Sequence, residues 1–178
     1  MADMKTDIKI EDYIAAYPDF PIEGILFRDL SPLLASPDAM TAAVEQFYEH
    51  IAPFKPDGFA GIESRGFLFS TLMAQRFGCG SFMLRKPGKL PGKLVRESYA
   101  LEYGENELTM QANTPIKGKR IVLIDDLLAT GGTVKAAKSL IKSVGGEAVA
   151  CAVVIHLADL GGQEVIDMPL VALTTYGG

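Results

Sequence analysis

The chain has 178 residues, of which 48% are hydrophobic and 22% charged, with a net charge of −5. This is the composition of an ordinary globular domain with a proper core, and its acidity argues against general nucleic-acid binding. The opening "MADMKTDIKI" has no apolar signal region and no apolar run is long enough to span a bilayer, so a cytoplasmic protein is expected.

In chain order, "SPDAMTAAVEQFYEHI" (36–51) reads as a helix, with Ser36 as N-cap and Met40, Ala43, Val44, Phe47 and Ile51 on one face. "GFAGI" (58–62) suits a buried strand, "RGFLFSTLMAQRFG" (65–78) a helix stopped by Gly78, and "SFMLR" a strand ending at Arg85. A stretch rich in Gly, Pro and Lys follows, from Lys86 to Arg96. "YALEYG" and "ELTMQAN" read as paired strands around a turn at 104–106. "RIVLI" (120–124) is a buried strand, and "GTVKAAKSLIKSVGG" an amphipathic helix with Val134, Ala137, Leu140, Ile141 and Val144 inward. "AVACAVVIHL" (148–157) is apolar enough for a parallel strand covered on both faces. The alternation predicts a doubly wound, mostly parallel α/β domain with its ligand at the carboxyl ends of the strands. "ESRG", "LRK" and "DDLLATGG" collect at those ends.

Two cysteines far apart, Cys79 and Cys151, suggest buried free thiols. Two histidines, His50 and His156, are too few for a histidine metal site, and His156 reads as partly exposed.

The stretch "VLIDDLLATGG" (122–132) carries the most chemistry. Two adjacent acids repel each other and are costly at the end of a buried strand. After them a Thr/Gly loop enters a helix, offering free backbone N–H groups and the positive end of the dipole to a phosphate. Thr130 and Thr133 add hydroxyls. The acids suit donors such as ribose hydroxyls, or a magnesium ion held through water. Together the parts specify a sugar phosphate. An isolated Gly-Gly would be only a turn; the whole strand–loop–helix combination argues for more. No Gly-Lys-Ser/Thr follows, and the acids precede the glycines, so neither a Walker loop nor a dinucleotide fingerprint is present.

"VLIDDLLATGGT" resembles the signature of the type I phosphoribosyltransferases, which use phosphoribosyl pyrophosphate (PRPP). "FPIEGILFRDLSPLL" (20–34), "IESRGFLF" (62–69) and "RKPGKLPGKLVRESYALEYG" (85–104) are similar to the adenine phosphoribosyltransferase family, in the same order. The resemblance implies the type I fold over residues 1–178 as one domain. It has a small base-recognition hood at about 1–34, a core at 35–178, and a flexible lid near 86–103. It also implies the reaction adenine + PRPP → AMP + pyrophosphate with Mg²⁺, and a homodimer with Arg85 and the lid near the neighbouring subunit.

By position, Ala129, Thr130, Gly131, Gly132 and Thr133 match the 5′-phosphate loop, and Asp125 and Asp126 the acids facing the ribose. Ser64 and Arg65 match the pyrophosphate turn, near which a non-proline cis peptide is implied at Glu63–Ser64. The family often has Asp where this chain has Glu63, a departure expected to matter little if backbone amides make the contact. Arg85, Lys86 and Lys89 suit the leaving pyrophosphate, although most basic runs of this kind are solvated loops. Catalysis falls to Arg65, Arg85 and Glu102, the last handling a proton at the base, with Tyr103 beside it on the closing lid. Adenine is read around Leu26 and Arg28, with Phe27 stacking and Leu157 on the other face; ordinary core is the plain alternative for Phe27 and Leu157. Transfer to another purine base, a PRPP-binding regulator without activity, and a PRPP-binding subunit of a larger complex are the competing readings.

Overall fold

A computed structural model describes residues 8–100 and 105–177. The chain divides into two compact units, 1–46 and 47–178.

The first unit carries an antiparallel pair, β1 (Ala15–Pro18) and β2 (Leu26–Asp29), in the register Tyr17↔Phe27. The connection bends through a cis Phe20–Pro21 bond and is tied by the Gly24 N–H donating to Asp19 at 2.8 Å. Phe20 meets Phe27 edge to face, with centroids 5.1 Å apart. A short helix, α1 (Ser31–Ala35), follows. Four-residue strands give too little alternation for periodicity alone to mark them.

Helix α2 (Pro37–Ile51) begins as expected, with Ser36 Oγ accepting the Ala39 N–H at 3.2 Å. Its buried stripe is Ala39, Ala42, Ala43, Phe47 and Ile51; Met40 and Val44 flank it, half-buried.

In the second unit five strands form one parallel sheet. They are β3 (Gly58–Ile62), β4 (Gly80–Leu84), β7 (Arg120–Leu128), β8 (Glu147–Leu157) and β9 (Leu170–Tyr176), in the order β4-β3-β7-β8-β9. The links from β3 to β4, β7 to β8 and β8 to β9 contain α3 (Gly66–Phe77), α4 (Gly132–Ser143) and α5 (Gly162–Ile166). Apolar Ile121, Leu123, Cys151 and Val153 pack with Val134, Ala137, Leu140 and Ile141 of α4 in one core. Such burial on both faces is why β3 and β8 are continuously apolar.

The Gly/Pro/Lys stretch is shorter than the sequence suggests. β5 (Leu94–Ala100) already begins at Leu94 and pairs with β6 (Glu105–Gln111), antiparallel, in the register Tyr99↔Asn106. The expected turn lies largely outside the described residues. β7 also runs beyond Ile124 to Leu128, so Asp125 and Asp126 sit within its last half rather than past its end.

Two side chains differ from expectation. Cys79 is half-buried, whereas Cys151 is fully buried and its thiol pKa is pushed up by burial. His156 is buried, at 7% exposure, and its Nε2 has no partner among the described residues. It stands between Leu128 of β7 and Thr175 of β9, within the sheet.

Candidate active site

From β3 the chain crosses to β4 on one side, and later enters β7 on the other side of β3. The strand order therefore reverses between β3 and β7, the place where open parallel sheets bind ligands. Gly61 pairs with Ile124, which brings the turn after β3 beside the acids of β7. Gly66 lets the start of α3 press on Ile124 and Asp125, because a Cβ there would meet the Ile124 carbonyl.

A cavity of about 540 Å³ opens here, lined by Glu63, Ser64, Arg65, Lys86, Tyr99, Asn106, Asp125, Asp126 and Thr133. A second, of about 220 Å³, is lined by Asp125, Leu127 to Gly131, Thr133 and Val134. Asp125 and Thr133 line both. The structure thus brings together the predicted acids, the phosphate loop, the "ESRG" turn and Lys86.

The loop residue Gly131 has φ +83°, a conformation only glycine adopts cheaply, and it leads straight into α4. Glu63–Ser64 is a cis peptide, as the resemblance implies.

The charges are arranged in pairs. Arg65 Nε lies 2.7 Å from Asp126 Oδ2. Arg85 Nε and Nη2 donate to Glu63 at 3.3 and 3.5 Å, while its guanidinium lies 5.8 Å from the Phe67 ring centroid. Glu63 also accepts the Lys86 N–H at 2.8 Å. Partial burial opposes the Glu63 charge, yet the Lys86 N–H, Arg85 and Lys89 outweigh it and hold the carboxyl below its usual range. Glu63 therefore does more than its backbone: it anchors the start of the Lys86 segment. Its pairing depends on Arg85 being brought across from β4, which spacing along the chain does not reveal.

Asp125 is the costly acid. Burial, the Asp126 charge and a side-chain hydrogen bond to Asp126 push its pKa well above the usual carboxylate range. The Asp126 N–H, donating to it at 2.8 Å, and Arg65 only partly offset this.

Arg85 is fixed from behind by β6, through Thr109 N–H and Oγ1 donating to its carbonyl at 2.7 and 2.9 Å. Its Nη1 donates to the Lys89 carbonyl at 3.2 Å. Tyr99 and Asn106, cross-strand partners on the hairpin, line the main cavity and were missed; their only signal was the predicted strand pair. Lys89 does not line either cavity. Leu157 is half-buried at the end of β8, beside Tyr176. Leu26 is exposed, and Phe27 and Arg28 are half-buried, on β2. Glu102 and Tyr103 lie outside the described residues.

Residues 30–175 match the model of the phosphoribosyl transferase domain family. An adenine phosphoribosyltransferase of Gluconobacter oxydans is 53% identical, over 95% of this chain and 94% of that one. The chain belongs to the adenine phosphoribosyltransferase family. Among solved structures of that family, the Saccharomyces cerevisiae enzyme complexed with D-2,5-dideoxy-2,5-imino-altritol 1,6-bisphosphate and adenine has a TM-score of 0.89 at 33% identity, with 93% of this chain and 96% of that chain covered. The Trypanosoma brucei enzyme in complex with AMP, pyrophosphate and ribose-5-phosphate has a TM-score of 0.85 at 26% identity, covering 94% and 78%. The five-stranded parallel sheet and its crossover helices are the type I phosphoribosyltransferase fold of this family. Among the described residues no helix is long and apolar enough to cross a membrane, and no three His, Cys, Asp or Glu side chains cluster as a metal cage.

Proposed function

We infer that the chain performs the reaction of its family, transferring the 5-phosphoribosyl group of PRPP to adenine N9 to give AMP and pyrophosphate. The observation that carries this is the pair of adjoining cavities joined at Asp125 and Thr133. They suit a sugar with a phosphate at one end and a pyrophosphate at the other.

The loop 129–133 takes the 5′-phosphate on its backbone N–H groups and the Thr130 and Thr133 hydroxyls. Asp125 and Asp126 accept the ribose hydroxyls. Ser64, Arg65, Arg85, Lys86 and Lys89 hold the pyrophosphate. Arg65 lines the main cavity and is held by Asp126, so the anion meets a prepositioned cation there. Arg85, held by Glu63, lines neither cavity and acts from beside Lys86. The C1′–oxygen bond to pyrophosphate breaks as the N9–C1′ bond forms, and the N9 proton passes to Glu102. The chain supplies no nucleophile, so its work is positioning, charge stabilisation and exclusion of water. Leu26, Phe27 and Arg28 are assigned to reading adenine. Residues 86–103, including Tyr103, act as the lid, and about 1–34 as the hood of a single domain.

Two adjacent acids, one of them already paired with Arg65, suit a magnesium ion reached through water. Bound with the substrate phosphates, magnesium would spread charge over the departing pyrophosphate. Exposed Leu68 and Leu72, one turn apart on α3, and exposed Met83 support a homodimer. The charged substrates favour a cytoplasmic setting.

A panel of purine bases at equal concentration, with PRPP and magnesium, tests the reading. Adenine is expected to be converted to its nucleotide and the other bases poorly. Hypoxanthine or xanthine matching adenine overturns the adenine assignment; no nucleotide from any base favours a PRPP-binding regulator.

A further inference from the structure

The phosphate loop poses a mechanical problem. Ala129, Thr130, Gly131 and Gly132 offer almost no side chain for neighbours to grip, and glycine backbone is intrinsically free. Yet its N–H groups must converge on one phosphate, where a displacement of about 1 Å can cost about 100-fold in rate. The loop backbone must be held from outside.

Gly162, the buried first residue of α5, is placed to do so. A Cβ at Gly162 would lie far inside contact distance of the Ala129 carbonyl oxygen and 3.1 Å from the Gly131 nitrogen. The fit is reciprocal, because a Cβ on Gly131 would stand 2.7 Å from the Gly162 carbonyl oxygen. Backbone rests on backbone with no side chain between. α5 is itself anchored. Ile166 is 1% exposed and packs in the core. Lys138 of α4 donates to the Ile166 and Asp167 carbonyls at 3.4 and 2.6 Å. Gly161, at φ +67°, turns the chain so that Gly162 meets the loop.

We propose that Gly162 is a positioning residue for the reaction: through α5 it holds the phosphate loop in the geometry that grips the 5′-phosphate of PRPP. The two glycines at 161–162 then have separate duties, the first a turn and the second an absence of side chain. The proposal rests on the assignment of residues 129–133 to that phosphate.

The test uses ribose 5-phosphate, which carries the phosphate without the pyrophosphate, in a calorimetric titration beside steady-state kinetics. For Gly162→Ala, Kd for ribose 5-phosphate and KM for PRPP are expected to rise about 10-fold or more, with KM for adenine within about 2-fold. Gln163→Ala, one residue on and exposed, should match the parent. A folded Gly162→Ala protein with unchanged ribose 5-phosphate affinity overturns the proposal. Hydrogen exchange on the parent protein gives a second reading that needs no variant. Ribose 5-phosphate should slow exchange in 158–166 together with 126–134, and protection confined to 126–134 overturns the proposal. A parent protein that does not bind ribose 5-phosphate overturns the loop assignment, and the proposal with it.

Discussion

Asp125→Asn should make the folded protein more stable while weakening its activity. The structure supplies the reason. The Asp125 carboxyl is pushed up by burial and by the Asp126 charge, so its ionised form opposes folding at neutral pH. Asparagine keeps the oxygen that accepts the Asp126 N–H at 2.8 Å, and its amide can donate to Asp126 as the protonated acid does. Asp125 is half-buried, and leaving such a polar group badly matched costs about 1–2 kcal/mol. In a domain of this size each kcal/mol moves Tm by about 2–4 °C, so a gain of about 2–8 °C is expected. The sign depends on pH. A carboxyl whose folded pKa exceeds its unfolded one makes stability fall as pH rises from the unfolded value through the folded value. The difference between Asp125→Asn and parent should therefore be small near pH 4 and grow toward pH 8, read by thermal unfolding across that range. Over the same series kcat/KM should drop, since one carboxyl oxygen facing the sugar is replaced by an amide that cannot accept from its hydroxyls. A Tm at pH 8 equal to or below the parent's would refute the claim that the site is held at a cost to stability.

Asp126→Asn removes the ion pair with Arg65 and should lower kcat/KM by about 10–100-fold, the worth of a charge-assisted hydrogen bond; full activity would remove Asp126 from the ribose site. Glu63→Gln should raise KM for PRPP while leaving KM for adenine nearly unchanged, because it loosens Arg85 and the Lys86 segment. Since the Glu63 pKa is lowered in the folded state, its contribution to stability is present above the ordinary carboxylate range and lost as pH falls through the folded value, a loss that Glu63→Gln should abolish in acid titrations. PRPP with magnesium should protect Lys89 and Lys93 from trypsin; equal cleavage with and without it would retire the lid and leave residues 86–93 an ordinary solvated stretch before β5. Glu102→Gln should lower kcat more than it weakens PRPP binding, by about 100-fold or more if Glu102 handles the N9 proton.

Much of the candidate site was legible in the sequence because its elements are local. The proposed phosphate loop needs a strand, small residues and a helix start in succession, and the structure has that succession from Asp125 to Thr133. The apolar runs of β3, β7 and β8 are legible for the same reason, since continuous burial dictates continuous hydrophobicity. What lay beyond the sequence depends on distance across the fold. The reversal of strand order between β3 and β7 places the "ESRG" turn beside the acids, and no spacing along the chain records it. Glu63 gained its partners only when β4 delivered Arg85 and Lys86 to it. His156, on the interior strand β8, is buried, although its residue type suggested access to solvent. Gly162 belongs to no motif in the sequence, and only the tertiary structure shows it pressed against a loop more than thirty residues earlier in the chain. Residue type sets which contacts a position can make; the packing of distant segments decides which of them it does make.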